Sequence, residues 1–453
     1  MSVRIYGWLR AFLRLVIGVF FRQVEVVGLE HVPEHGPVIF AGNHPNSLID
    51  PVLIVISCGR VVRFAAKDVL FRSRLLRPVL RAVGAVPIAR PADHTSGGDA
   101  SARNQVSFDT LIGVLAEGGA IGIFPEGLSH EGPQLARLKT GAARIAIGVG
   151  ARDPDARVAI VPCGLTYMQR KRFRSRALLQ FGPPLVVDAA RAASADAVTA
   201  ITADLEHGLR ALTVNASDWQ TLRVLDGIRR LYQPPAISIE QRVELARRFN
   251  NEYPRVRDDP EVRALYARVE AYLDRLSAGG LTDRDLQRDL RPIEALERVG
   301  RHLLLLLVWL PLALPGAILH APAGILVKLA APLLSPRKDV LGATKLLAGL
   351  LAVLASYGAG VLWVGWRFGW PPALAALVAL PITGYATLQA FDRSASLQRG
   401  LITLLRLVTL RREMAFLRAE RAALEDGVVS AVDRLRPAEM VPLFPRAPRE
   451  APT

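Results

Sequence analysis

The sequence predicts an α/β domain with a mainly parallel sheet flanked by helices, followed by a helical region and C-terminal transmembrane helices. Two observations carry this prediction. Short β-branched runs alternate with helical stretches between residues 24 and 187, which is the pattern of parallel strands covered by helices on both faces. Apolar residues are concentrated after residue 300, in uncharged stretches that are long enough to span a bilayer.

Length and composition set the classes of protein to which the chain can belong. A chain of 453 residues is long enough for two or three domains, and 51% of its residues are hydrophobic. The formal net charge of +16, in a chain with long apolar runs, indicates contact with anionic headgroups and phosphorylated substrates. No nucleic-acid-binding motif is visible, so we expect no nucleic-acid partner. Cys58 and Cys163 have no pair spacing, which predicts neither a disulfide nor a metal site.

The N-terminal residues 1–27 combine aromatic and aliphatic side chains with Arg4, Arg10 and Arg14. The arginines interrupt the apolar core that a signal peptide requires. An amphipathic helix in the membrane interface, with its arginines at the level of the headgroups, accommodates both kinds of side chain. We therefore expect residues 1–27 to form such a helix, and the alternative is a helix packed on the domain that follows.

Residues 28–215 contain the expected strands and form the predicted α/β domain. The clearest strand signals are the apolar runs 38–40, 120–124 and 158–162. Residues 216–297 follow as a charged helical region. We expect no catalytic chemistry in that region.

Residues 298–392 form the predicted transmembrane region. The uncharged stretches 346–366 and 371–388 flank a turn rich in tryptophan and phenylalanine, which is typical of a helical hairpin with an interfacial aromatic belt. Basic residues collect at the opposite ends, so these ends and the α/β domain are expected to face the cytoplasm. The stretch 303–334 contains Pro311, Pro315 and Pro322, and we expect it to turn back within the membrane at these prolines. Residues 393–453 are expected to form a basic helix along the membrane and a disordered tail from Pro437.

The first candidate catalytic residues lie directly after the apolar run 38–40. His44 is followed, after five intervening residues, by Asp50. A histidine at the end of a strand, with a carboxylate one short turn away, is the combination found in general bases. One ring nitrogen accepts the proton, and the carboxylate holds the other ring nitrogen. For this pair alone, the alternative is a turn histidine beside a capping aspartate.

A second cluster has the sequence Phe-Pro-Glu-Gly-Leu-Ser-His and occupies residues 124–130. Backbone amides freed by Gly127, with donors from Ser129 and His130 beside them, are suited to hold a phosphate oxygen at the end of a strand. A simple β-turn is the alternative. Two further blocks complete an ordered set, 84–91 with Arg90 and 160–167 with Pro162. Four elements in order arise by chance far less often than one.

These four blocks resemble those of the glycerolipid acyltransferase family, the glycerol-3-phosphate and lysophosphatidate acyltransferases. The family's blocks are a histidine–aspartate motif, a block with a characteristic arginine, Phe-Pro-Glu-Gly and a Val-Pro block, and the resemblance covers about residues 28–184. The resemblance implies that His44 is the general base and Asp50 its partner. The acceptor-binding residues that it implies are Arg90 at the phosphate, Glu126 and Gly127, with Ser129 and His130 as further contacts.

Two departures from the common family pattern indicate which subgroup of the family the chain resembles. Five residues separate His44 from Asp50 where four are usual, so a turn around Pro45 must bring the two side chains together. Leu128 and Ser129 replace the usual Thr-Arg after Phe-Pro-Glu-Gly. Both features look like the yeast-type glycerol-3-phosphate/dihydroxyacetone-phosphate acyltransferases, which also carry transmembrane helices after the catalytic domain.

The resemblance implies a membrane-bound O-acyltransferase of phospholipid biosynthesis that has no bound cofactor. Acyl-CoA or acyl carrier protein (acyl-ACP) would be the co-substrate, glycerol-3-phosphate or 1-acylglycerol-3-phosphate the acceptor, and membrane lipids a further partner. His44 would remove the hydroxyl proton as the acceptor oxygen attacks the thioester carbonyl. The alternatives are a lysophospholipid acyltransferase of lipid remodelling and a non-catalytic membrane scaffold. The retained His44, Asp50, Arg90 and Glu126 argue against the scaffold.

Overall fold

A computed structural model describes residues 3–72, 76–88, 98–234, 236–278, 281–283, 286, 292–335, 337, 340–409, 411–436 and 443–444. The chain forms two compact units. The first comprises Met1–Asn215 with Pro336–Ala343, and the second comprises Ala216–Ser335 with Thr344–Thr453. The main segment of the first unit ends at Asn215.

The first unit is an α/β domain. Its strands are β1 (Phe21–Val27), β2 (Val38–Gly42), β3 (Val62–Lys67), β4 (Val86–Ile88), β5 (Ala120–Ile123), β6 (Val158–Tyr167), β7 (Ser175–Phe181) and β8 (Leu185–Val187). Its helices are α1 (Val3–Phe20), α2 (Ile49–Ser57), α3 (Leu76–Ala82), α4 (Gly98–Ala116), α5 (Gly141–Gly150), α6 (Ala189–Ala192) and α7 (Ala197–Leu212), with short 3₁₀ turns at Leu29–His31 and Asp68–Arg72.

The eight strands form one sheet in the order β1-β7-β6-β2-β5-β3-β4, and β8 also pairs with β6. All the pairs are parallel except those of β6 with β7 and with β8. Central strand β2 is buried along its whole length, because parallel strands covered on both faces need continuous apolar sequence. The predicted mainly parallel sheet flanked by helices is confirmed.

One hydrophobic cluster joins the sheet to helices α4, α5 and α7. Its fully buried members include Leu111 and Leu115 of α4, Ile145 and Val149 of α5, Ile201 and Leu205 of α7, and Ile39, Ile121 and Ile160 of the central strands. These helices cover one face of the sheet and leave the carboxyl ends of β2 and β5 open. The edge formed by those ends carries the candidate site.

The N-terminal segment differs from the expected helix over residues 1–27. Helix α1 ends at Phe20, and residues 21–27 form β1, which pairs in parallel with β7. The β-branched valines of this segment favour a strand, and the edge of the sheet supplies the hydrogen-bonding partner.

Helix α1 has two different faces. Tyr6, Ile17 and Phe20 are buried against the domain, and the Arg14 guanidinium donates two hydrogen bonds, of 2.9 and 2.7 Å, to the carbonyl oxygen of Ile56. The opposite stripe, at helical spacing, is exposed and consists of Trp8, Phe12, Leu15 and Val19. The inner face therefore packs on the domain, as in the alternative given above. The outer face has the exposed apolar side chains that are expected of a membrane-interface helix.

The second unit consists of helices. They are α8 (Trp219–Tyr232), α9 (Ile239–Val256), α10 (Pro260–Ala278), α11 (Pro292–Leu334), α12 (Leu341–Phe368, whose first residues belong to the first unit), α13 (Trp370–Thr409) and α14 (Arg411–Leu435). Within the part of the chain that the structure describes, three helical stretches are long and apolar enough to cross a membrane by length and composition, at Val299–Leu334, Leu341–Phe368 and Trp370–Ile402. The predicted helical region and C-terminal apolar helices are therefore present.

The expected boundary at residue 393 is wrong in two respects. Helix α13 continues to Thr409 without a break, so the basic segment begins inside it. Helix α14 does not stand apart, because Met414, Leu417 and Leu424 share one buried cluster with Val224 of α8 and Tyr272 of α10. The apolar positions of α14 thus face a protein core. From Pro437 onward only Leu443 and Phe444 belong to the described residues, so the expected disordered tail lies largely outside them.

The expected turn within residues 303–334 is also wrong. Helix α11 runs continuously from Pro292 to Leu334 and contains Pro311, Pro315, Pro322 and Pro332. Each proline removes one backbone hydrogen bond, but apolar helices tolerate this loss because neighbouring helices and local adjustments satisfy the freed carbonyl groups. In this chain the prolines are therefore compatible with a long helix.

Helix α11 packs closely on α13 through small residues. The Thr387 hydroxyl donates a hydrogen bond of 2.8 Å to the carbonyl oxygen of Ala313, and a β-carbon on Gly316 would lie 2.5 Å from the carbonyl oxygen of Thr383. We expect Gly316→Ala to lower the melting temperature in detergent, because such overpacking costs about 1–3 kcal/mol. Gly324→Ala on the same helix meets no atom within 4 Å and should leave the melting temperature unchanged or raise it. Equal effects of the two substitutions would contradict this packing.

Candidate active site

The candidate site lies where two central strands end side by side. Strands β2 and β5 are parallel and in register, with Val38 opposite Ala120 and Ala41 opposite Ile123. The residues that follow them, 43–48 and 124–130, therefore meet at one edge of the sheet. The carboxyl ends of parallel strands are the usual place for ligand sites in α/β folds.

His44 and Asp50 are in direct contact. The Nδ1 atom of His44 lies 2.9 Å from Oδ2 of Asp50. Helix α2 begins only at Ile49, so His44 precedes it and Asp50 lies in its first turn. Ser47, with a φ of 44°, reverses the chain between them. The unusual spacing of five residues is thus accommodated by a turn, as the sequence requires.

Three donors surround the Asp50 carboxylate, which is fully buried. Oδ2 accepts from the His44 ring and, at 2.8 Å, from the backbone N–H of Asn46, while Oδ1 accepts from the Tyr167 hydroxyl at 2.5 Å. Burial, together with the adjacent Asp50 carboxylate, raises the pKa of Tyr167 well above its usual value, so its hydroxyl stays protonated and donates. A carboxylate with these donors remains an acceptor for the His44 Nδ1–H.

The His44 ring is held in place and remains accessible. It stacks on Phe124, with the ring centroids 4.0 Å apart and the planes at 11°. Its side chain is 14% exposed, so a small molecule can reach it. With the Nδ1–H assigned to the bond with Asp50, the Nε2 atom is left as a proton acceptor, which is the arrangement of a general base.

Glu126 connects the two loops of the site. Its side chain is almost completely buried. Oε1 accepts from the backbone N–H of His44 at 2.9 Å, and Oε2 accepts from the backbone N–H of Ala136 at 2.8 Å and from Nε2 of His130 at 2.5 Å. Oε1 thus holds the loop that carries His44, and Oε2 holds the loop that carries His130 and Ala136.

The residues after Glu126 are also committed to bonds within the protein. The sequence suggested that the Gly127 N–H is free to bind a phosphate. In the structure this N–H donates to the Phe124 carbonyl at 2.9 Å and closes a turn. Gly127 has a φ of 71°, which explains the glycine. The Ser129 hydroxyl accepts from the Ser47 N–H at 3.2 Å, and the His130 N–H donates to the His44 carbonyl at 3.2 Å. Direct contact of these residues with an acceptor stays a prediction.

Arg90 lies outside the described residues, but the structure places another arginine at the site. Arg170, together with His44, Glu126, His130 and Thr213, lines a pocket at this edge of the sheet. Its guanidinium makes two long contacts of 3.5 Å, to the carbonyl oxygens of His130 and Glu131. Such weak contacts leave donors for a ligand.

Sequence reasoning missed Arg170. The available signal was the run of basic residues directly after the Val-Pro block, in which Arg170, Lys171, Arg172, Arg174 and Arg176 occur within seven positions. A basic run of this kind is more often a solvated surface segment than a site. Only the folding of the β6–β7 connection over the pocket distinguishes Arg170 from its neighbours.

The cysteine near the site is inaccessible. Cys163 lies within β6 and is fully buried, and burial raises the pKa of its thiol well above the usual value. A thiol in this state is a poor nucleophile. Cys163 is therefore unsuited to covalent catalysis at this pocket.

Comparisons with known proteins agree with the two units. The Acyltransferase family model matches residues 23–166, and the model of the Glycerol-3-phosphate acyltransferase 2 C-terminal domain matches residues 224–440. Glycerol-3-phosphate O-acyltransferase 2 of Saccharomyces cerevisiae is 36% identical over 236 residues, which are 50% of this chain and 32% of that protein. Glycerol-3-phosphate O-acyltransferase 1 of the same yeast is 28% identical over 407 residues, which are 68% of this chain and 53% of that protein.

The crystal structure of a 1-acyl-sn-glycerophosphate acyltransferase from Thermotoga maritima aligns with a TM-score of 0.35 and 20% identity, over 45% of this chain and 78% of that one. The chain spans less than two thirds of the length of each of the two yeast relatives. The matched regions nevertheless follow one another in the order expected, first the catalytic and then the C-terminal domain. The chain therefore contains an Acyltransferase domain in its first unit and a Glycerol-3-phosphate acyltransferase 2 C-terminal domain in its second.

Proposed function

We propose that the protein is a membrane-bound O-acyltransferase of phospholipid biosynthesis. It moves a fatty acyl group from acyl-CoA or acyl-ACP to the hydroxyl of glycerol-3-phosphate or 1-acylglycerol-3-phosphate. The observation that carries the proposal is the His44–Asp50 pair, which lies beside a pocket that Arg170 also lines. The pocket thereby combines a base with a cation suited to phosphate.

The reaction needs no covalent intermediate on the protein. His44 Nε2 takes the proton of the acceptor hydroxyl while the acceptor oxygen attacks the thioester carbonyl. The carbon–sulfur bond then breaks, and the leaving thiolate takes the proton from the His44 imidazolium. Asp50 holds the ring in the required tautomer and stabilises its positive charge during the reaction. Much of the remaining rate enhancement comes from bringing two substrates together in the pocket.

Two surfaces support attachment to a membrane. The exposed stripe of α1, formed by Trp8, Phe12, Leu15 and Val19, suits the boundary between headgroups and acyl chains. The apolar helices α11 to α13 supply a second, larger surface. Acyl carriers and glycerol phosphates are cytosolic, so the proposal places the first unit on the cytoplasmic face of the membrane.

The direct test uses the full chain in detergent with labelled acyl-CoA or acyl-ACP. The acceptor panel contains glycerol-3-phosphate, dihydroxyacetone phosphate, 1-acylglycerol-3-phosphate and lysophosphatidylcholine. We expect acylation of a glycerol-phosphate acceptor. Acylation of lysophosphatidylcholine alone would replace the proposal with lipid remodelling, and the absence of transfer to every acceptor would favour the non-catalytic scaffold.

Arg170→Met tests the phosphate contact. Losing a hydrogen bond to a charged group costs about 1.5–3 kcal/mol, so we expect the acceptor KM to rise about 10- to 100-fold while the acyl donor KM changes little. The matched control is Arg172→Met, because Arg172 belongs to the same basic run but is exposed. A rise in the donor KM alone would assign Arg170 to the phosphates of the acyl carrier.

A further inference from the structure

Tyr167 reaches the catalytic pair from a different strand. It is the last residue of β6 and pairs with Ala177 of β7. Its ring lies against that of Phe21 in β1, with centroids 5.8 Å apart and planes at 31°, and Phe21 is itself buried. The backbone pairing and the ring contact together fix the position of the Tyr167 hydroxyl relative to the sheet.

The Tyr167 hydroxyl donates to Oδ1 of Asp50, the carboxylate oxygen to which His44 and Asn46 do not bond. Oδ2 accepts from both His44 and Asn46, whereas the only donor to Oδ1 among the described residues is Tyr167. Without that hydroxyl, one oxygen of a fully buried carboxylate would have no hydrogen-bond donor, a costly state in a protein interior. The carboxylate would then be held through Oδ2 alone, by His44 and Asn46, and its orientation would be less restricted.

We propose that Tyr167 is a positioning residue for the reaction, which orients the Asp50 carboxylate and weakens its hold on protonated His44. The inference rests on the proposed function of His44 as the base. Tyr167 touches no substrate in this scheme. It acts by sharing the Asp50 negative charge, so that the His44 imidazolium is not over-stabilised and can release its proton to the leaving thiolate.

The charges around the pair determine the expected pH dependence. Asp50 faces His44 and Tyr167, the Glu126 carboxylate contacts the His44 backbone, His130 bonds to Glu126, and the positive charge of Arg170 lies near Tyr167. Removing the Tyr167 hydroxyl leaves more negative charge on Asp50 and stabilises protonated His44. Because protonated His44 cannot act as a base, the acidic limb of the kcat profile must then move to higher pH.

The test compares Tyr167→Phe with Tyr6→Phe. Tyr6 is a buried tyrosine of the same unit whose hydroxyl accepts from the Val62 N–H and has no part in the site. We expect Tyr167→Phe to lower kcat about 10- to 100-fold, the usual effect of losing a hydrogen bond to a charged group, with both KM values within about twofold. Its acidic limb should move to higher pH. Tyr6→Phe should change the melting temperature only.

A second measurement needs no substrate and separates this inference from the proposed function. The rate at which diethyl pyrocarbonate modifies His44, followed by mass spectrometry of its peptide, reports the protonation of that ring as the pH changes. In Tyr167→Phe the modification profile should move to higher pH. If no acceptor is acylated but this shift occurs, the proposed function fails, while the influence of Tyr167 on the protonation of His44 through Asp50 stands.

Replacement of Tyr167 by 3-fluorotyrosine covers the case in which Tyr167→Phe fails to fold. The more acidic phenol donates a stronger hydrogen bond to Asp50 and should move the His44 profile to lower pH, opposite to the phenylalanine variant. Tyr167→Phe with the kcat and the His44 profile of wild type would overturn the inference. An unshifted His44 profile in the fluorotyrosine protein would overturn it as well.

Discussion

His44→Ala is expected to abolish acyl transfer while the protein stays folded and membrane-bound. A positioned general base contributes about 10²- to 10⁴-fold to the rate, and the second imidazole that the structure describes at this site, His130, has no free ring nitrogen because both of its own are hydrogen-bonded. The fold should survive because Asn46 and Tyr167 still donate to the two oxygens of Asp50. The measurement is kcat with a labelled acyl donor and the acceptor that wild type prefers.

His35→Ala is the matched control for this substitution. His35 is exposed, lies before β2 and makes no contact with the site, so its loss should leave kcat and the melting temperature unchanged. If His44→Ala retained activity within about tenfold of wild type, another group would have to take the hydroxyl proton. The assignment of His44 as the base would then be wrong.

Glu126→Gln is expected to lower both stability and activity, although it only replaces one carboxylate oxygen with an NH₂ group. Glu126 accepts from two backbone N–H groups, one on each of its oxygens. Glutamine has a single oxygen, so in either orientation its amide NH₂ faces a backbone N–H donor. An unsatisfied buried donor costs about 1–3 kcal/mol, which should lower the melting temperature of the first unit.

The activity should fall with the stability, because one of the two backbone donors belongs to His44. Displacement of a catalytic group by 1 Å can cost about 100-fold in rate, so we expect a fall in kcat of that order. Glu117→Gln, at an exposed position after α4, should stay within about 0.5 kcal/mol of wild type. A Glu126→Gln protein with wild-type stability would show that the carboxylate does not hold the two loops together.

The sequence predicts the part of the site that local chemistry specifies. His44 and Asp50 are separated by one turn, and Glu126 follows a strand that must end beside the first. Their proximity follows from the parallel sheet alone. The sequence does not predict that Glu126 connects two loops by hydrogen bonds, because this depends on which backbone N–H groups converge on its buried carboxylate.

Features that depend on distant chain segments escaped sequence reasoning. Tyr167 and Arg170 lie at the site only because β6, which ends at Tyr167, pairs with β2, and because the β6–β7 connection then passes over the pocket. Periodicity identifies the apolar face of α14 but not its partner, so the sequence predicts a membrane surface where the structure has a protein core. The prolines of α11 predict breaks at the cost that they carry in a water-exposed helix, whereas an apolar helix accommodates them.

The shared core of α10 and α14 restricts how the chain can pass through a bilayer. Helix α10 precedes the three apolar helices and α14 follows them, yet Tyr272 and Met414 are buried in one cluster. Because a core of this kind forms on one face of a membrane, a chain that crosses the bilayer between these two helices must return to the face from which it left. The number of complete crossings between residues 286 and 414 is therefore even. At least one of the three apolar stretches must begin and end on the same face, although each is long enough to cross.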